Sequence, residues 1–140
     1  NKGSGLITIH VMSPDPVRVV AAVIEHNDRF LLTRRQDGVH LAGHWEFPGG
    51  KVGASESHAA ALRREIIEEL DTDVVVHELV FETTHQYPDR AVTLFFYRCD
   101  LVGMPKPMLG QHMEWIARPA LSSLLFPPAD EELIKMLMAG

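Results

Sequence analysis

A single cysteine, Cys99, stands among 140 residues. One thiol cannot close an intrachain disulfide, so a disulfide-stapled scaffold is excluded and a reducing, cytoplasmic setting is expected. Long apolar runs are missing as well. None approaches the 18 or so residues of a membrane span, and no secretory leader is visible. Excess positive charge is absent too: 13 Lys and Arg face 19 Asp and Glu, for a net charge of −6. That balance argues against a nucleic-acid polymer as partner, which calls for a basic patch. A small anionic partner stays open, because a bound metal reverses the local sign. No internal repeat or low-complexity segment interrupts the chain.

What is present fits one domain with a real hydrophobic core, expected over 17–140. Residues 1–16 read as an N-terminal arm or tag remnant, with Leu6–Val11 able to form a short strand before the Pro14-Asp15-Pro16 break. Val17–Glu25 (VRVVAAVIE) is β-branched and almost wholly apolar, as a strand buried on both faces would be. Asn27-Asp28 predicts a turn into a second strand, Arg29–Arg34, making a hairpin. Gln36–Gly43 reads as loop, and His44–Phe47 as a short strand ended by Pro48 and the glycine pair. Further strands are expected within Asp73–Gln86, over Ala91–Asp100 after a Tyr87-Pro88-Asp89-Arg90 turn, and over Met113–Ala117. Ala120–Leu125 predicts a helical turn. A terminal helix follows Pro127-Pro128, with Asp130, Glu131 and Glu132 in its first turn and Leu133, Met136 and Leu137 as its buried stripe. The order β-β-β-α-β-β-β-α implies an α/β fold, a mixed sheet between two helices.

The stretch Gly49–Thr72 (GGKVGASESHAAALRREIIEELDT) organises the rest. Its predicted helix carries Glu65, Glu68 and Glu69 within about a third of the circumference. Ala59, Leu62, Ile66 and Leu70 form the core-facing stripe. Like charges at these spacings destabilise a helix by roughly 0.2–0.5 kcal/mol per pair, and a merely solvated face would alternate signs. Three acids beside one backbone loop point to a hard divalent cation with oxygen ligands.

This stretch resembles the signature box of the Nudix hydrolases, G-x5-E-x7-R-E-U-x-E-E-x-G-U, with U a bulky aliphatic residue. Gly50, Glu56, Arg64, Glu65, Ile66, Glu68 and Glu69 fill its slots in register. Asp71 stands where the family has Gly, and Thr72 where it has an aliphatic. Asp tolerates the left-handed conformation that follows a helix better than most residues, so the departure should cost stability rather than the site. The resemblance implies the Nudix α/β/α sandwich and hydrolysis of a nucleoside diphosphate linkage with Mg²⁺ or Mn²⁺. It implies that Glu65, Glu68 and Glu69, with the Gly49 carbonyl, are metal ligands. Arg64 would orient a carboxylate and Glu56 would support it. For Arg64, a plain surface pair with Glu68 is the alternative.

LLTRRQDG, WEFPGGK, YPDR followed by VTLFFY, GQ followed by EW, and FPPAD extend the resemblance to the MutT-type branch, the oxidised-nucleotide pyrophosphohydrolases. Carried over, Arg35 would meet phosphate, His40, Glu46 and Phe47 would line the nucleoside site, and Arg90 would lie nearby. Phe47 reads equally as core. His40 and His44 share an H-x3-H spacing, but the expected loop argues against a zinc pair. Where related enzymes often carry a further Glu before the GQ pair, this chain has Leu109, so Glu114 or a box glutamate would have to serve as base. Where the 8-oxoguanine reader has Asn, this chain has Asp130, which reads either as a base contact or as a favourable helix-start acid.

The leading expectation is a metal-dependent nucleoside triphosphate pyrophosphohydrolase releasing a monophosphate and pyrophosphate. 8-Oxo-dGTP is its first candidate substrate, which would make it a guard of DNA against oxidised precursors. CTP or a 5-substituted dCTP is the alternative substrate. A nucleotide-binding sensor without turnover is the alternative class, motivated by Leu109 and Asp71. The expected partner is a small nucleotide, with no membrane, and the chain a monomer or homodimer.

Overall fold

The computed structural model describes residues 15–140, so the reading of Leu6–Val11 as a strand lies outside the described residues. Seven strands form the sheet: β1 (Val17–His26), β2 (Arg29–Arg34), β3 (Trp45–Glu46), β4 (Gly49–Lys51), β5 (Val74–Gln86), β6 (Ala91–Leu101) and β7 (His112–Ala117). Helix α1 (His58–Leu70) follows β4, and helix α2 (Glu131–Ala139) ends the chain after short 3₁₀ turns at Arg118–Ser123 and Pro128–Asp130. The main path is β3-β2-β1-β6-β5, with β4 also pairing β1 and β7 also pairing β2. The sheet is mixed: β1 and β6 run parallel, while the other pairs are antiparallel.

Strand β1 is the spine, and its all-apolar sequence explains why. Alternate side chains of a strand point to opposite faces. Val20, Ala22 and Ile24 join the cluster containing Leu62, Ile66 and Leu70 of α1. Ala21 and Val23 join the cluster of Phe30, Phe47, Phe96, Leu121 and Leu133 on the α2 side. Both faces are therefore covered by helices, the expected α/β/α arrangement. The β1–β2 hairpin closes through Asn27 and Asp28, both at positive φ (52° and 62°). Asx residues tolerate that geometry, which matches the right-handed twist of the flanking strands.

Helix α1 begins at Ser57, whose hydroxyl accepts from the Ala60 amide at 3.1 Å. It ends at Asp71 in the left-handed conformation (φ 56°, ψ 34°), as expected from the departure at that slot. Two stripe expectations are corrected. Ala59 is exposed and Ala61 is buried instead, because the core cluster meets the helix only from Ala61 onward. In α2, Met136 is 49% exposed and Ile134 takes its place beside Leu133. Periodicity marks an apolar face, but only the packed partner decides which of its residues are covered.

The glycine pair, expected as loop, is instead strand β4, with Ala21 opposite Gly49 and Val20 opposite Gly50. Glycine is a poor strand former, but here it permits a close backbone approach. A Cβ on Gly49 would collide with the Val20 carbonyl oxygen and stand 2.7 Å from the Ala21 Cα. Both obstacles are backbone, so nothing can swing aside. Gly49→Ala is expected to lower stability by roughly 1–3 kcal/mol or more, as overpacking does. Thermal melting checks this, and a Tm equal to the parent's would refute the close approach.

Candidate active site

The loop after β4 is tied to α1 by one guanidinium. Arg64 donates from Nε and Nη2 to the two carboxylate oxygens of Glu56 at 2.7 and 2.9 Å. Its Nη2 also donates to the Lys51 carbonyl at 3.0 Å, and Nη1 to Glu65 at 2.8 Å. Glu56 in turn accepts from the Gly53 amide at 2.8 Å. The fork on Glu56 and the Gly53 amide hold that carboxyl down at about 2. The i,i+4 contact from Arg64 to Glu68 is longer, 3.6 Å. Arg64 is thus mainly a clasp between loop and helix.

The box carboxylates differ from one another. Glu65 is largely buried and lies against Gly50, where a Cβ would collide with its carboxyl. Glu69 faces Glu65, and burial first, then Glu65, then Glu46, holds its proton well above the usual carboxylate range. Glu68 is turned outward, its side chain 57% exposed. Among the described residues, no three His, Cys, Asp or Glu side chains converge as a ready metal cage, so the expected trio is not drawn together. The reason is local: Arg64 engages Glu65 and Glu68, while Glu69 turns to Glu65. Gly49 faces Glu69 with its amide, a contact that favours the ionised carboxylate. The donor set still fits a divalent cation. Carboxylates crowded enough to retain a proton are a site where a hard dication can take the proton's place on oxygen ligands.

Beside the box lies a cavity of about 270 Å³, whose lining includes Arg35, His40, Glu46, Phe47, Tyr87 and Asp130. Arg35 Nη1 meets Glu46 at 3.1 Å, and its Nε donates to the His40 carbonyl at 2.6 Å. Burial raises the Glu46 carboxyl against the opposing pull of Arg35. Phe47 satisfies both readings at once. It is 5% exposed in the α2-side core, packed on Phe96 and Phe126, and it also lines the cavity. His44 Nδ1 lies 3.0 Å from the Leu41 carbonyl, and His40 lines the cavity.

Arg90 lies near the cavity, as expected, on the turn that carries Tyr87. It is exposed on the turn, outside the cavity lining, and Tyr87 occupies the wall instead. The turn closes with the Tyr87 amide donating to the Arg90 carbonyl at 2.8 Å, which brings only Tyr87 inward. Tyr87, Leu41 and Lys51 line the cavity without having been singled out from the sequence. The apolar–turn–apolar pattern around YPDR marks the hairpin, but not which of its side chains faces inward.

Asp130 is 4% exposed and makes no capping bond to α2. Burial, followed by the charge of Glu46, pushes its carboxyl up to about 7. The helix-start reading therefore lacks its hydrogen bond. A second recess of about 220 Å³, lined by Arg34, Gln36, Glu69, Leu109 and Gln111 among others, shares Arg35 and Glu46 with the first. Leu109 thus stands beside Glu69. Glu114 lines neither recess, and its carboxylate lies 3.4 Å from His112. A larger cavity of about 590 Å³, around His26, Arg29, Met104 and Trp115, contains no box residue.

A cluster of crowded carboxylates on a helix, clasped to a glycine-strand loop and opening into a nucleoside-sized cavity, suits metal-assisted hydrolysis of a phosphoric anhydride. Residues 19–136 match the NUDIX domain model, and the chain belongs to the Nudix hydrolases, on their MutT-type branch. It is 36% identical over 124 residues to the 8-oxo-dGTP diphosphatase of Haemophilus influenzae, covering 87% of this chain and 91% of that one. It is 34% identical over 124 residues to the CTP pyrophosphohydrolase of Escherichia coli, covering 88% and 92%. A structure solved in work on the MutT proteins of Aliivibrio salmonicida and Vibrio cholerae superposes with a TM-score of 0.75 at 27% identity, over 89% of this chain and 97% of that one. The chain is a Nudix hydrolase of nucleoside triphosphates, a family that works with a divalent metal.

Two predictions follow from the carboxylate geometry. Glu69→Gln keeps size but removes a charge, and kcat should fall by about a hundredfold or more, as on loss of an electrostatic group. Near-parental turnover at saturating Mg²⁺ would remove Glu69 from the working set. Because Leu109 borders Glu69 and Glu114 does not, Leu109→Glu should tighten apparent Mg²⁺ affinity or raise turnover, while Glu114→Gln stays close to the parent. A crippled Glu114→Gln enzyme would reverse that assignment.

Proposed function

We propose that this chain is a nucleotide-pool hydrolase that cleaves a modified nucleoside triphosphate, 8-oxo-dGTP first, to the monophosphate and pyrophosphate. The observation that carries the reading is continuity. Arg35 and Glu46 belong to both recesses, so a nucleoside in one cavity sends its phosphates toward Glu69. Mg²⁺, with Mn²⁺ as substitute, suits an open carboxylate face, since it keeps waters and takes one or two carboxylates plus phosphate. When bound, such an ion neutralises non-bridging oxygens and prepares an in-line water. Glu65, Glu68 and Glu69 would hold it, with Gly49 alongside. Arg64, anchored on Glu56, would keep Glu65 in place directly, and Glu69 would move protons at the attacking water. Arg35 would turn from Glu46 to a phosphate oxygen. His40, Phe47 and Tyr87 would wall the nucleoside. The working unit spans 17–140 in the cytoplasm. The chain would act as a monomer or a homodimer.

The CTP reading is favoured by one observation, the acid at 130. An 8-oxoguanine edge offers an N7–H donor beside the O6 acceptor. A protonated Asp130 can donate to O6 and accept from N7–H, as an amide would, whereas ionised Asp130 can only accept. Cytosine offers an N4 amino donor that suits the carboxylate. With Asp130 titrating at about 7, base choice becomes pH-dependent. The ratio of kcat/KM for 8-oxo-dGTP over dCTP should fall as pH rises through about 7. In Asp130→Asn it should be flat and, at pH 8, higher by about tenfold, worth roughly 1.4 kcal/mol. A ratio that ignores both pH and mutation would exclude Asp130 from base reading.

Stability supplies an independent check. A carboxyl raised on folding binds its proton more tightly in the native state than in the unfolded one. It therefore destabilises the fold as pH climbs from the unfolded value to the folded one, with the full cost above about 7. Asp130→Asn should melt above the parent at pH 8, with the gap closing in acid. Pyrophosphate release over a panel of common and oxidised triphosphates tests the whole reading. Binding without turnover across the panel would leave the sensor alternative.

A further inference from the structure

Gln111, of the GQ pair, has no role in the function proposed above. Its amide joins two backbone groups: Nε2 donates to the Glu69 carbonyl at 3.0 Å, and Oε1 accepts from the Leu109 amide at 2.8 Å. The Leu109 carbonyl accepts in turn from Gln36 Nε2. The Met108 amide donates to the same Glu69 carbonyl at 2.9 Å, and the Lys106 amide to the Leu70 carbonyl at 2.8 Å. The last carbonyls of a helix have no partner within it, so segment 106–111 closes the end of α1 from outside.

Ordinary capping explains the bonds at Leu70. It does not explain why the Glu69 carbonyl takes two donors, or why the chain of bonds runs on to Gln36. Glu69 carries the carboxyl that meets Glu65. Gln36 follows Arg35, and Arg35, Gln36, Glu46, Glu69 and Gln111 border one recess. A side chain leaves its helix in a direction fixed by the backbone turn beneath it. We infer that Gln111 is a positioning residue, whose amide bridge locks the Glu69 turn of α1 against the Gln36 loop and so sets where the Glu69 carboxylate stands relative to Arg35 and Glu46. The inference rests on the proposed metal role of α1.

The experiment is a Mn²⁺ titration followed by electron paramagnetic resonance, with steady-state kinetics alongside, on four proteins: parent, Gln111→Met, Gln36→Met and Thr72→Val. Gln111→Met keeps length but loses both bonds. Removing an outer partner of a metal ligand costs about tenfold in metal affinity, and that is the weakening expected, with kcat lowered and nucleotide KM held within about twofold. Thr72→Val is the matched control. It deletes the 2.8 Å bond from the Gly103 amide to Thr72 Oγ1, in the same loop but off Glu69. It should lower Tm and leave Mn²⁺ affinity unchanged. Parental Mn²⁺ affinity in Gln111→Met, or equal losses in Gln111→Met and Thr72→Val, would overturn the inference. Should Gln111→Met not fold, Gln36→Met reads the outer link from an exposed side chain. A loss in the same direction supports the bridge, and an unchanged affinity refutes it. Failure of the parent itself to bind Mn²⁺ would sink the metal reading and this inference together, and the parent's own curve tells that case apart.

Discussion

The constraint on which the site depends is the crowding of carboxylates that would repel one another in solution. Glu69 bears on Glu65 and Glu46, and Glu46 bears on Asp130, so one acid after another extends from the box helix into the cavity. In a medium less polar than water such neighbours cannot all ionise, and protons stay on where water would remove them. Two guanidiniums divide the burden. Arg64 neutralises the Glu56–Glu65 end, and Arg35 the Glu46 end. Between them lies Glu69, whose charged neighbours are acids, and this is where a proton is retained in place of a counter-charge.

Holding repelling groups together requires that they stand on rigid elements. Glu65 and Glu69 ride on α1, Glu46 on β3, and Asp130 on the 3₁₀ turn before α2. β3 belongs to the sheet whose spine is β1, the helices α1 and α2 pack on its two faces, and the cores there set their spacing. The glycines of β4 matter for the same reason. Gly49 lets that strand close on β1, and Gly50 leaves the space that the Glu65 carboxyl fills. Side-chain bulk at either position would push apart the sheet and the helix that the site spans. The box motif is therefore a steric statement about its glycines as much as an electrostatic one about its glutamates.

Much of this was legible in the sequence because the signals were local. The apolar run of β1, the Asx turn of the hairpin, the acidic helix and the left-handed Asp71 each follow from a few neighbouring residues. What was not legible depended on distant partners. β4 hides in a glycine pair because its pairing relies on the absence of side chains, not on strand-forming ones. Tyr87 rather than Arg90 faces the cavity because of how one turn is closed. Ala59 and Met136 lie on apolar stripes but meet no partner surface. The end of α1 is closed by residues 106–111, which chain order places some forty positions away from it. The slot where the family keeps a glycine thus holds Asp71 within a helix end that is secured from outside as well as by its own cap.

The acid at 130 shows why side-chain identity alone is a poor guide to recognition. An Asp on a surface is an acceptor at neutral pH, and its difference from Asn is absolute. Buried and facing Glu46, the same carboxyl keeps its proton to about 7 and presents a donor and an acceptor side by side. Its hydrogen-bonding character is then a property of the cavity: of how dry it is, and of the charge on Glu46. That charge is itself tied to Arg35 by the 3.1 Å pair. On the proposed reading Arg35 would leave Glu46 for a phosphate oxygen, and Glu46 would lose the partner that favours its ionised form. Its proton affinity would rise, and the negative field on Asp130 would change with it. Phosphate binding at one end of the site and hydrogen bonding to a base at the other would thereby be coupled through one carboxylate.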